Sequence, residues 1–240
     1  LGYGGGYYDR FIDAKNKATF DALQKSSDEK PLKTKPYIER ARKTQTIAND
    51  FVKYVDNLIS TTETLYGGDE ARNEEGEMLA ADQMEKHANY FVNEGHGKEF
   101  QDKINKARED MLNILKPDLS DTLYNIKTNE VYDEVRASCQ LWANEPTTGK
   151  GNWVAQNLEH VPAAGLMAVL SRIKNDAKSL EANVLEKLAS RIDATDYKFD
   201  KLEAKVLAKS NYVMQGESYE ADILLVASDS KSDPQITVDG

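Results

Sequence analysis

The hydrophobic period of this chain changes once, near residue 202, and that change limits what it can fold into. Across residues 11–201 apolar side chains recur every three and four positions, the spacing of one helix face. From Leu202 they alternate every second position, the spacing of a half-buried strand. The fold class this predicts is mainly α: an elongated helical bundle (residues 9–200) followed by the first strands of an incomplete β domain (residues 201–240). Residues 1–8 are too rich in glycine for a stable element and are expected to form a flexible N-terminal segment. The pattern reads as a piece of a longer rod, and an upstream part is expected because the sequence shows neither an initiating Met nor a signal peptide.

A chain of 240 residues buries roughly 70–75% of its unfolded surface in a compact body and so needs neither disulfide nor metal to fold. Its formal net charge of −10 argues against a nucleic-acid partner, which requires a basic stripe, and against docking on anionic lipid. The single cysteine, Cys139, rules out an intramolecular disulfide. Its neighbours Ala137, Leu141 and Trp142 predict a buried thiol rather than a reactive one. The longest small-and-apolar run, residues 162–170, is about half of what a bilayer span needs.

Individual helices follow from the stripes. A first helix is expected over residues 9–24, burying Ile12, Phe20 and Leu23 and ending in the polar Ser26-Ser27-Asp28. A second uses Ile38, Ala41, Gln45, Ala48, Val52, Val55 and Ile59, widened by Phe51 and Leu58, with Pro36 at its start. Residues 60–77 read as a solvated acidic loop, with a cation or partner patch as the alternative. A third helix is expected over residues 78–92 through Ala81, Met84, Ala88 and Phe91. A fourth, over 98–115, buries Phe100, Ile104, Ala107, Met111 and Ile114. Asp118 can cap a short helix over Leu119, Leu123 and Tyr124, residues 130–142 are either helical or extended, and Trp153 anchors the return from a loop at 146–151. The last helix opens at Pro162 and carries Leu166, Leu170, Ile173, Ala177, Leu180, Val184 and Leu188. Its length suits either the full span of a bundle or pairing with a second chain. Beyond it, Leu202, Ala204, Val206 and Ala208 alternate, as do Tyr219, Ala221, Ile223, Leu225 and Ala227. A third strand is expected at 236–238, and Asn211 and Gly216 supply turn chemistry between strands.

Chemistry is scarce. His87, His96 and His160 share no ligand spacing, no nucleophile or phosphate-loop motif occurs, and Asp229, Ser230, Ser232 and Asp233 lack the glycine and terminal Glu of a calcium loop. No enzyme activity, cofactor or metal is expected.

Pro162-Ala163, then Leu170-Ser171-Arg172-Ile173-Lys174-Asn175-Asp176, then Glu181-Ala182 before Val184 resemble the GldM family, called PorM in non-gliding species. Asn211-Tyr212-Val213-Met214-Gln215-Gly216-Glu217 resembles that family's entry into its second domain. Gly97-Lys98-Glu99-Phe100 with Lys103 and Arg108 is similar to a third stretch. The resemblance implies an inner-membrane-anchored periplasmic shaft of Bacteroidetes, a homodimer with a helical first domain and immunoglobulin-like domains after it. It further implies a GldL-type membrane subunit and GldK/GldN-type outer-membrane ring proteins as partners, in the motor for type IX secretion and gliding. Leu202, Tyr212, Gly216 and Glu217 are then the candidate domain junction. The competing reading of the residues is a helical sensory or ligand-binding module of an envelope receptor.

Overall fold

The computed structural model describes the backbone of residues 3–117, 129–196, 201–208 and 221–228, and side chains over 9–31, 34–117 and 129–192. The chain is mainly helical. It divides into two units, Leu1–Ala189 and Ser190–Gly240.

Helix α1 spans Tyr3–Glu29 and α2 spans Pro31–Leu65, with Lys30 alone between them. Proline disfavours the helical conformation in the residue before it, and Lys30 is accordingly non-helical, at φ −136° and ψ 62°. This stop lies beyond the expected end near residue 24. Ser27 faces the interior, so the polar stretch stays in the helix. At the other end, Gly4, Gly5 and Gly6 are helical, contrary to the expectation for residues 1–8. Each glycine costs roughly 1 kcal/mol against alanine, but extending a nucleated helix adds a hydrogen bond per residue.

In α2 the buried residues are Thr34, Tyr37, Ile38, Ala41, Thr44, Ala48, Phe51, Val55, Leu58 and Thr62. From Ala41 onward they alternate three and four apart, as a bundle seam requires. The seam thus runs through Phe51 and Leu58, while Gln45, Val52 and Ile59 flank it. Pro36 stands inside the helix and Pro31 takes the first-turn position. The helix also runs through Thr61 and Thr62, where a break was expected. Thr62 Oγ1 bonds back to the Leu58 carbonyl at 2.8 Å, which satisfies the buried hydroxyl without leaving the helix. Gly67, at φ 98°, takes the left-handed turn that ends it, and a 3-10 turn follows at Gly68–Ala71.

The third helix is much shorter than expected: α3 spans only Glu85–Ala88 and continues as a π turn at Asn89–Asn93. Helix α4 spans His96–Asn113 and buries Phe100, Ile104, Ala107 and Met111, with Ile114 just beyond it. Helix α5 covers Glu130–Ser138, so only the first part of 130–142 is helical. The expected short helix over Leu119, Leu123 and Tyr124 lies outside the described residues. A second π turn, Ala155–Glu159, precedes α6, Ala163–Asp196. All seven apolar positions expected in that last helix are buried.

Cross-helix pairs give the directions. Gln24 meets Arg42, while Asp9 and Asp56 share Lys174, so α2 runs back along α1. Asp9, Asp13 and Lys15 meet Lys174, Lys178 and Glu186 in ascending order, so α6 runs parallel to α1. Phe51 stacks near Phe100 at 6.5 Å, and Trp153 meets the Phe100 ring edge-on at 6.1 Å.

In the second unit, β1 (Lys201–Ala208) and β2 (Ala221–Ser228) pair antiparallel. The register sets Leu202 opposite Ala227, Ala204 opposite Leu225 and Val206 opposite Ile223, matching the two apolar alternations across the ladder. Tyr219 and the strand expected at 236–238 lie outside the described residues.

Candidate functional site

Three polar assemblies hold α6 and its surroundings in place. The first seats its N-terminus. A helix leaves its first N–H groups unpaired, and here Ala163 N donates to the Gln83 carbonyl at 2.8 Å and Ala164 N to the Ala81 carbonyl at 3.0 Å. Ala81 and Gln83 therefore spend their carbonyls on α6 instead of on a helix of their own, and Met84 is exposed. Beside this seat His87 is fully buried. Its Nε2 lies 2.9 Å from the Val161 carbonyl, which can only accept, so Nε2 carries the proton. Nδ1 then accepts from the Tyr66 hydroxyl at 2.6 Å. Burial lowers the imidazole pKa, against the opposing pull of the Val161 carbonyl. His87 is a neutral structural strut.

The second assembly fastens residues 139–146 to α4. The Arg108 guanidinium lies 3.8 Å from the Trp142 ring centroid, and Arg108 also donates to the Leu141 carbonyl at 3.4 Å and to Asn105 Oδ1. Gln101 Nε2 and Asn105 Nδ2 both reach the Ala143 carbonyl, at 2.9 and 3.0 Å. Arg136 of α5 closes on Glu109 at 2.9 Å. Burial works to raise the Glu109 pKa, but the two arginines outweigh it and hold the carboxyl below its usual range. Cys139 is buried here, and burial pushes its thiol pKa up, as its apolar neighbours led one to expect.

The third is a polar seam between α6 and the α1–α2 pair. Lys174 Nζ bridges Asp9 and Asp56, each at 3.2 Å. One turn on, Lys178 Nζ meets Asp13 at 2.9 Å and Asp9 at 3.4 Å. Asn16 Nδ2 donates to the Lys178 carbonyl at 3.1 Å and to Glu181 Oε2 at 3.0 Å. Glu181 is only 6% exposed. Burial pushes its pKa up to about 7; Asn16 and Lys178 oppose that shift and Asp13 adds to it. None of these roles was foreseen, although a signal was present. Lys174, Lys178 and Glu181 recur at helical spacing one position after the apolar stripe Ile173, Ala177, Leu180.

Of the expected junction residues, Leu202 falls in β1 opposite Ala227. Tyr212, Gly216 and Glu217 lie outside the described residues, as do Asp229, Ser230, Ser232 and Asp233. Among the described residues no group of three or more His, Cys, Asp or Glu is arranged to hold a metal ion. Among the described residues an open groove of about 260 Å³ lies between α2 and α4, lined by Ile47, Tyr54, Lys103 and Asp110. No helix among the described residues is long and apolar enough to cross a membrane.

The sequence signature of the GldM N-terminal domain matches residues 10–191, most of the chain. The chain belongs to the GldM family. The GldM second-domain signature matches residues 193–240, so the two regions meet at Ile192. These domains indicate a component of the gliding-motility and type IX secretion motor, in a family of structural motor components that is periplasmic with an inner-membrane anchor. A comparison with curated proteins finds no match. Within this GldM chain, the Leu170–Asp176 motif and Glu181 lie along the polar seam, and Gly97 lies between the two π turns.

Proposed function

We propose that this part of GldM transmits force along a periplasmic shaft, from a proton-driven unit in the inner membrane toward the outer membrane. The observation that carries this reading is the continuity of α6. It runs from Ala163 to Asp196 and so passes through Ile192, where the two matched domains meet. A helix of 34 residues, about 51 Å at 1.5 Å per residue, carries bending and torsion across that point where a Gly/Ser linker would dissipate them. In this reading β1 and β2 begin an immunoglobulin-like second domain, entered through Leu202, Tyr212, Gly216 and Glu217. The shaft is a homodimer, with a GldL-type subunit at its membrane end and GldK/GldN-type ring proteins at the other.

The test is an insertion after Ile192 in the full-length protein. Four flexible Gly/Ser residues are expected to abolish secretion and gliding at unchanged protein level. Seven helix-forming residues add two turns with little change of phase and are expected to preserve both. Full activity with the flexible insert would refute force transmission through this helix.

A further inference from the structure

We propose that the cluster Asp13, Asn16, Lys178 and Glu181 is a proton-operated latch, which holds α1 on α6 while the Glu181 carboxyl is protonated and loosens α1 when it ionises. The geometry is that of a cluster whose charges, among the described residues, do not balance. From α1 come Asp9 and Asp13, and from α2 Asp56; α6 supplies Lys174, Lys178 and Glu181. With Glu181 ionised, four carboxylates face two ammonium groups. With it protonated, three do. Two turns and more from Lys178 on α6, Glu186 meets Lys15 of α1 at 2.6 Å.

The hydrogen bonds point the same way. Glu181 receives Asn16 Nδ2 at 3.0 Å, a donor that it shares with the Lys178 carbonyl. Asn16 Oδ1 is buried with no partner among the described residues. The cluster is therefore short of donors, and a proton on Glu181 brings one. An ionised carboxylate that is 6% exposed, next to Asp13 and with one neutral donor, is poorly solvated, whereas undocking α1 returns it to water. Ionisation and undocking thus favour each other by linkage.

The sign and size follow from the proton balance. The docked pKa is raised to about 7 from the ordinary 4.5. Stability from this group is fully present below about pH 4.5 and is lost as pH rises through about 7. Between pH 6 and pH 8 the opening equilibrium of α1 should rise about tenfold. This inference does not rest on force transmission and stands or fails separately from it.

The experiment is amide hydrogen exchange of the 240-residue chain at pH 6 and pH 8, corrected for intrinsic rates and resolved for α1 against α4. The expected result is about a tenfold loss of protection in α1 and no comparable loss in α4. In Glu181→Gln the carboxyl is replaced by a neutral isostere, and α1 should stay protected at both pH values. A flat wild-type profile, or an unchanged pH dependence in the variant, overturns the latch. Carboxyl-carbon NMR titration of wild-type Glu181 is an independent check that needs no variant. A midpoint near 7 supports the latch and one below 5 overturns it.

Discussion

A single missing methyl group determines how closely the two π turns approach. A Cβ built on Gly97 would lie 2.5 Å from Val154 Cγ1 and 2.7 Å from the Phe91 carbonyl oxygen, with ordinary helical backbone at Gly97 itself. Space, not backbone conformation, therefore demands glycine. At Gly165 the nearest atom would be Pro162 Cδ at 3.5 Å, an ordinary contact. Gly97→Ala should lose about 1–3 kcal/mol by overpacking, while Gly165→Ala should gain up to roughly 1 kcal/mol of helix propensity. Denaturant midpoints at constant slope measure both. Equal effects at the two positions would show that propensity, not packing, decides them. The Gly97-Lys98-Glu99-Phe100 stretch was legible as family-like, but the close approach that explains its glycine joins residues 97 and 154 and leaves no trace in local spacing.

At the scale of elements, the helices divide by what holds them. α2, α4 and α6 each carry an apolar seam legible from period, although in α2 the period also drew in Gln45, Val52 and Ile59, which flank the seam. Residues 139–146 are held by side chains of α4, with Arg108 as the central clamp. Lysine in its place keeps the charge but loses the flat guanidinium over Trp142 and the fork that reaches the Leu141 carbonyl and Asn105. Arg108→Lys should therefore cost about 2 kcal/mol. Hydrogen exchange should rise in 139–146 before it rises in α6, and tryptophan emission should shift to the red. Uniform loosening of the whole chain would mean that Arg108 serves the core instead. The expected helix at 78–92 fails for the complementary reason. Its pattern is helical, but the carbonyls of Ala81 and Gln83 are claimed by the N–H groups of α6.

Across the whole molecule, two buried titratable groups pull stability in opposite directions. His87 has a lowered pKa, so its contribution is complete above its unfolded pKa of about 6.5 and is lost as pH falls below that. Glu181 has a raised pKa, so its contribution grows as pH falls from about 7 toward 4.5. In wild type the two act in opposite directions between pH 7 and pH 5. Removing the Glu181 titration with Glu181→Gln takes one opposing contribution away from the His87 loss, while the Asp176 carboxyl, also raised by burial, remains. Thermal midpoints of the variant should fall more steeply than wild type over that range, and equal slopes would contradict the opposition. The class of the fold, the seams of its long helices and the switch to strands near residue 201 were all written in the order of the residues. Each depends on side chains three, four or two positions apart. The short α3, the α6 seat, the Arg108 clamp and the polar seam were decided only by the tertiary structure. They join residues such as 16 with 181 and 83 with 163, whose chemistry is set by burial and distance that no local period records.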